Sequence, residues 1–138
     1  MTERQAVRDL VSKDQIRQLK YEYCRCIDEN DVEAFPELFT ADATVDFATR
    51  EPYRGRDEIR AFLEAHDDEA DPMAHVATNP VIDVDGDRAD GRWYYLVLLG
   101  RDRGTELGQG VYHETYRRES DGWRIATLRT ERRFTLSI

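Results

Sequence analysis

The stretch MAHVATNPVIDVDGDRADGRWYYLVLL, Met73 to Leu99, decides the fold. Val, Ile, Thr, Trp and Tyr crowd it on both sides of Asp85-Gly86, a dipeptide suited to a tight hairpin turn. It therefore reads as two strands, Met73 to Val84 and Arg88 to Leu99. Two more runs of the same character follow, Leu107 to Arg118 and Trp123 to Leu136, set off by the glycine-containing 100–110 segment and by Asp121-Gly122. Four consecutive strands with short connections predict an antiparallel meander. Pro80 and Gly91 interrupt two of them and are expected at bulges or bends that curl the sheet.

Upstream the periodicity is helical. Ile16, Leu19, Tyr23, Cys26 and Ile27 recur at helical spacing between Asp14 and Asn30, with Arg17, Lys20, Glu22 and Arg25 on the remaining face. Asn30 as N-cap, with Glu33 near the capping-box position, predicts a second helix carrying Val32, Phe35, Leu38 and Phe39. Pro36 makes that helix short or kinked. Ala43 to Ala48 alternates like a short strand, and Gly55 opens a third helix that buries Ile59, Phe62 and Leu63. Three N-terminal helices packed on a curved antiparallel sheet make an α+β domain shaped as a cone. Its hollow must be filled by side chains or kept open for a ligand, with Trp93, Tyr94, Tyr95, Tyr112 and Tyr116 as expected wall residues.

Composition narrows the chemistry. A chain of 138 residues that is 40% apolar fits one domain over 1–138, with residues 1–12 expected as a polar arm. Its 29 acidic and 20 basic residues leave a formal charge of -9, which repels nucleic-acid phosphates and anionic lipid headgroups. No apolar run approaches the about 20 residues that cross a bilayer. The first residues are polar, unlike a signal peptide, so a cytoplasmic protein with neither membrane nor nucleic-acid partner is expected. Cys24 and Cys26 point to different sides of a helix and cannot bridge each other. His66, His75 and His113 form no metal-binding spacing, and no phosphate loop is present. Side chains alone are expected to carry the chemistry, without metal or cofactor.

Two residues stand out. Asp28 lies in the last turn of its helix, at the negative end of the macrodipole; with Glu29 it is either a solvated linker acid or a partner for something else. His75 begins a strand in the least polar part of the chain, either as a hydrogen-bonded structural residue or as a general acid or base. A carboxylate that fixes its tautomer favours the second role, and Asp28 is the obvious candidate.

The run Ile16 to Asp28, then Leu38-Phe39 with Asp42-Ala43, Ala74-His75-Val76 ahead of Asn79-Pro80, and Tyr112 with Asp121-Gly122-Trp123, resembles the SnoaL-like branch of the nuclear transport factor 2-like superfamily. Within it the pattern is most similar to bile acid 7α-dehydratase and more distantly to scytalone dehydratase, with Gly91-Arg92-Trp93-Tyr94 strengthening the first comparison. The resemblance implies catalytic positions at Tyr23, Asp28 and His75, and a binding position at Arg132. Tyr53 and Tyr112 are candidate substrate-binding neighbours. Val97 stands where the dehydratase carries an aspartate, so no second acid is available to protonate a departing hydroxyl.

The resulting expectation is a cofactor-independent enzyme that moves protons on a small apolar ring substrate such as a polyketide or steroid, by dehydration, isomerisation or cyclisation. A noncatalytic pocket that binds a small ligand or a partner is the competing expectation. A homodimer is expected first, and a trimer second.

Overall fold

Thr2 opens the first helix: its hydroxyl accepts a hydrogen bond from the Gln5 N–H at 3.1 Å. No glycine or proline follows until Pro36, and α1 runs from Glu3 to Asp28. A computed structural model describes residues 1–66, 69–102 and 104–138. The residues expected as a polar arm are thus the opening turns of α1, which begins well before Asp14. Asn30 does not cap a second helix. It takes a left-handed backbone (φ 55°) that ends α1, the role an Asn or Gly plays just past a helix C-terminus. Capping passes to Asp31, whose carboxylate accepts from the Ala34 N–H at 3.1 Å. The expected middle helix is only the 3-10 turn Phe35–Leu38, because Pro36 can open such a turn but cannot sit inside a longer helix.

β1 (Phe39–Asp46) and β2 (Tyr53–Arg54) follow, then α2 (Gly55–Glu64), which buries Ile59 and Leu63 and half-buries Phe62. The meander comprises β3 (Met73–Asp85), β4 (Arg88–Arg101), β5 (Gly104–Glu119) and β6 (Gly122–Ser137), close to the predicted spans. Among the described residues there are therefore two α-helices rather than three, and a six-stranded sheet of order β2-β1-β6-β5-β4-β3. The sheet is not wholly antiparallel: β1 pairs in parallel with β6, since the chain crosses over before the meander returns to it.

Pro80 and Asn79 (φ 55°) sit at a break in the β3–β4 register between Thr78 and Val81, as expected of a bulge. Gly91 marks no bulge. Register runs straight through it, and its value is space: a Cβ there would lie 2.5 Å from the Tyr116 hydroxyl. The inner face of the sheet presents Trp93, Tyr95 and Val97 from β4, Tyr112, Glu114 and Tyr116 from β5, and Trp123, Ile125 and Leu128 from β6, all buried. Against them α1 lays Ser12, Ile16, Leu19, Lys20, Tyr23, Cys24 and Ile27, one continuous stripe at helical spacing.

Candidate active site

One end of the space between α1 and the sheet is left open as a cavity of about 460 Å³. Its walls include Tyr23 and Ile27 from α1, Phe47, Phe62, Met73 and His75, Tyr95, Val97 and Leu99 from β4, Tyr112, and Thr130 and Arg132 from β6. The lining is mostly apolar with a few polar groups, the composition of a small-molecule site. A larger, more open hollow of about 680 Å³ lies on the opposite face of the sheet, with charged Asp46, Asp83, Asp90, Arg92 and Arg129 among its lining.

His75 lines the first cavity, and Asp28 meets it from behind the wall. The Asp28 carboxylate lies 2.7 Å from His75 Nδ1 and also accepts from the His75 backbone N–H, at 3.1 and 3.0 Å to its two oxygens. Asp28 is therefore not a solvated linker acid. Its side chain is 26% exposed, that of His75 only 9%. The end of α1 brings Asp28 to the first residues of β3, and the double contact fixes both the position and the tilt of the imidazole. A carboxylate only accepts, so Nδ1 carries the proton and Nε2 is the basic nitrogen available to a cavity ligand.

Tyr23 and Tyr112 complete the polar part of the wall. Both are buried, and their rings meet edge to face, 5.8 Å apart at 81°. Burial raises both hydroxyls well above 10, so they remain phenols and hydrogen-bond donors across the neutral range. Tyr95 stacks on Tyr112 with centroids 4.7 Å apart. Arg132 is the cavity's cation: its guanidinium lies over Gly108, and among the described residues it has no acidic partner. Val97 is the cross-strand partner of His75 and presents an apolar surface beside the imidazole.

Other expected wall residues lie elsewhere. Tyr53 stacks against Phe62 and Phe47 at 5.3 and 6.1 Å and lies behind the cavity wall rather than in it. Trp93 and Tyr116 are core, joined by an indole N–H donated to the Tyr116 hydroxyl at 2.9 Å. Tyr94 faces the back of the sheet under Arg133, and His113 is there too, 3.4 Å from Glu131. Cys24 and Cys26 are free, buried thiols pushed up to about 11 by burial. Among the described residues no group of three or more His, Cys, Asp or Glu converges as a metal site.

One feature escapes a reading of the sequence that places Lys20 on the solvent face. Lys20 is fully buried, ion-paired to an equally buried Glu114, which also accepts from the Tyr116 hydroxyl. The signal was present in the spacing Ile16, Lys20, Tyr23, Ile27, which puts Lys20 in the middle of the apolar stripe.

Comparison with known proteins identifies the fold and the family. An uncharacterised protein of Mycobacterium tuberculosis is 29% identical over 124 residues, covering 87% of this chain and 84% of the relative. A solved structure from the same species, of a protein of unknown function, superimposes with a TM-score of 0.86 at 29% identity, covering 93% of this chain and 75% of the other. A scytalone dehydratase-like protein from Novosphingobium aromaticivorans gives 0.84 at 23% identity, with 94% and 89% covered; at that identity the likeness is one of fold. No helix among the described residues is both long and apolar enough to cross a membrane. Residues 8–129, nearly the whole chain, match the SnoaL-like domain, and the chain belongs to that family within the nuclear transport factor 2-like superfamily.

Proposed function

We propose that this chain is a lyase- or isomerase-type enzyme in which His75 moves a proton on a small, largely apolar ring substrate, without metal or cofactor. The observation that carries the reading is the Asp28–His75 contact at 2.7 Å on the wall of an apolar cavity. In this reading Nε2 of His75 takes a proton from a carbon alpha to a carbonyl. The C–H electron pair moves into the ring and onto the carbonyl oxygen, where Tyr23 donates a hydrogen bond to the enolate. The proton then returns at another carbon, or a leaving group departs with the electron pair. With Val97 beside the imidazole, the reaction is an isomerisation or cyclisation, or an elimination whose leaving group needs no second acid. Arg132 holds an anionic or strongly polar substituent at the other side of the cavity. A polyketide or steroid ring matches an apolar hollow of this size.

A ring substrate whose cleavage needs only a base tests this. 5-Nitrobenzisoxazole loses its C–H proton to a base while its N–O bond breaks, and the phenolate released is coloured. The chain is expected to turn it over above the buffer rate, and His75→Ala and Asp28→Asn each to lower kcat by about 100-fold, the usual worth of a positioned base or its orienter, with thermal stability little changed. Turnover unaffected by His75→Ala overturns the reading. Binding without turnover supports the noncatalytic pocket instead.

A further inference from the structure

A fully buried lysine paired with a fully buried glutamate is costly to assemble, and nothing in the proton transfer above uses it. Its placement, however, is specific. The Lys20 ammonium sits in the corner between two rings, 3.7 Å from the centroid of Tyr23 and 3.5 Å from that of Tyr112, the two phenols on the cavity wall. On its far side Glu114 holds it. Glu114 is fixed in turn by the Tyr116 hydroxyl, and Tyr116 by the Trp93 N–H at 2.9 Å. A chain of contacts thus runs from the middle of the core to the backs of both tyrosines. A cation against a phenol ring is attracted by its π face and resists rotation or withdrawal of that ring. Burial favours the neutral amine at Lys20, and the Glu114 carboxylate opposes this by favouring the ammonium.

We propose that Lys20 is a positioning residue: held by Glu114, it clamps Tyr23 and Tyr112 so that their two hydroxyls act together as the site that binds a developing oxyanion. This rests on the proton-transfer reading and deepens it, adding Tyr112 as a second donor beside Tyr23. A purely structural ion pair makes a different prediction, because replacing both charges by neutral side chains of similar shape commonly leaves a protein equally or more stable and would leave the cavity unchanged.

The experiment uses the full chain and two probes, 5-nitrobenzisoxazole for turnover and its product, 2-cyano-4-nitrophenolate, for binding to the oxyanion site without turnover. The paired variant Lys20→Met with Glu114→Gln removes both charges and keeps an acceptor for Tyr116. It is expected to bind the phenolate about tenfold more weakly and to lower kcat by a similar factor with KM nearly unchanged, the loss expected when hydrogen bonds to a charged oxygen are misaligned. Tyr112→Phe, which leaves the ion pair intact, is expected to weaken phenolate binding by about tenfold in the unmodified background and hardly at all in the Lys20/Glu114 background, since the two changes act on one arrangement. Should the paired variant fail to fold, Tyr112→Phe alone decides, and unchanged phenolate affinity in it overturns the proposal. Phenolate affinity and kcat that stay within about twofold in the folded paired variant overturn it as well. Turnover that depends on His75 but ignores the paired change sinks this proposal alone. Phenolate binding that follows Lys20 in a chain without turnover sinks only the proton-transfer reading.

Discussion

Tyr23, Tyr112 and Tyr116 share one property with a thermodynamic consequence: burial holds each of them as a phenol to well above 10. Their ordinary value, reached in the unfolded chain, is about 10. An acid whose value is raised on folding contributes stability that is complete below the unfolded value and is lost as pH rises beyond it, because the unfolded chain then gives up its proton first. Above pH 10, stability should therefore fall by about 1.4 kcal/mol per pH unit for each such tyrosine. Lys20, pulled down by burial, acts in the opposite sense, one group against three. Urea unfolding midpoints measured from pH 8 to pH 11.5 are expected to drop steeply at the alkaline end, and Tyr112→Phe to flatten that drop; equal slopes in both proteins would contradict it. At this scale the sequence shows some residues and hides others. His75 and Asp28 were visible because an isolated imidazole in an apolar strand and an acid at a helix C-terminus are each unusual. Tyr53 reads from the sequence only as a pocket neighbour without a role, since residue type conveys no depth; in the fold Phe47 and Phe62 line the cavity and Tyr53 packs against them. Lys20 was hidden by its charge, which outweighed its spacing.

At the level of elements, β5 is shaped by what it leaves out. A Cβ on Gly110 would lie 2.3 Å from the Glu131 carbonyl oxygen and 2.6 Å from the Tyr95 hydroxyl, so the strand admits no side chain where the cavity-lining Tyr95 crosses it. Gly86 in the β3–β4 turn has nothing within 4 Å of the same position and is constrained only by its φ of 63°. Gly110→Ala should cost about 3 kcal/mol, the upper range for forced overpacking, and displace Tyr95. Gly86→Ala should cost about 1 kcal/mol, for the left-handed backbone alone. Urea midpoints of the two variants check the order, and a smaller loss for Gly110→Ala would refute it. The strands of the meander were legible because their turns are local, each set by two or three residues such as Asp85-Gly86. The segment between α1 and β1 was not. Asn30 suits both the start and the end of a helix, and which one it serves is decided by Asp31 and Pro36 together.

Across the whole molecule, the back of the sheet carries an apolar area at one end. Ala74, Leu98, Leu107 and Leu136 pair in register across β3, β4, β5 and β6, with Val76, Leu96, Gln109 and Phe134 in the next row. Val76, Leu98, Phe134 and Leu136 are 40 to 52% exposed. Contiguous apolar surface of this kind is normally covered by a partner. Beside it, Asp46, Asp83 and Asp90 alternate with Arg54, Arg92 and Arg129, a pattern that can complement its own copy. A homodimer through this face is the expected state, to be read as twice the chain mass by sedimentation equilibrium, with Leu98→Glu giving monomer; a monomer in the unmodified protein would refute it, and three times the mass would give the trimer. The general architecture was readable from composition and turn signals, whereas the parallel β1–β6 pairing joins strands some eighty residues apart and leaves no local trace. Finally, β3 is the free margin of the sheet, and a main-chain amide there would ordinarily be open to an intruding strand. The amide of His75 is instead occupied by the Asp28 carboxylate, so the group that aims the imidazole also helps to guard that margin against cross-β association.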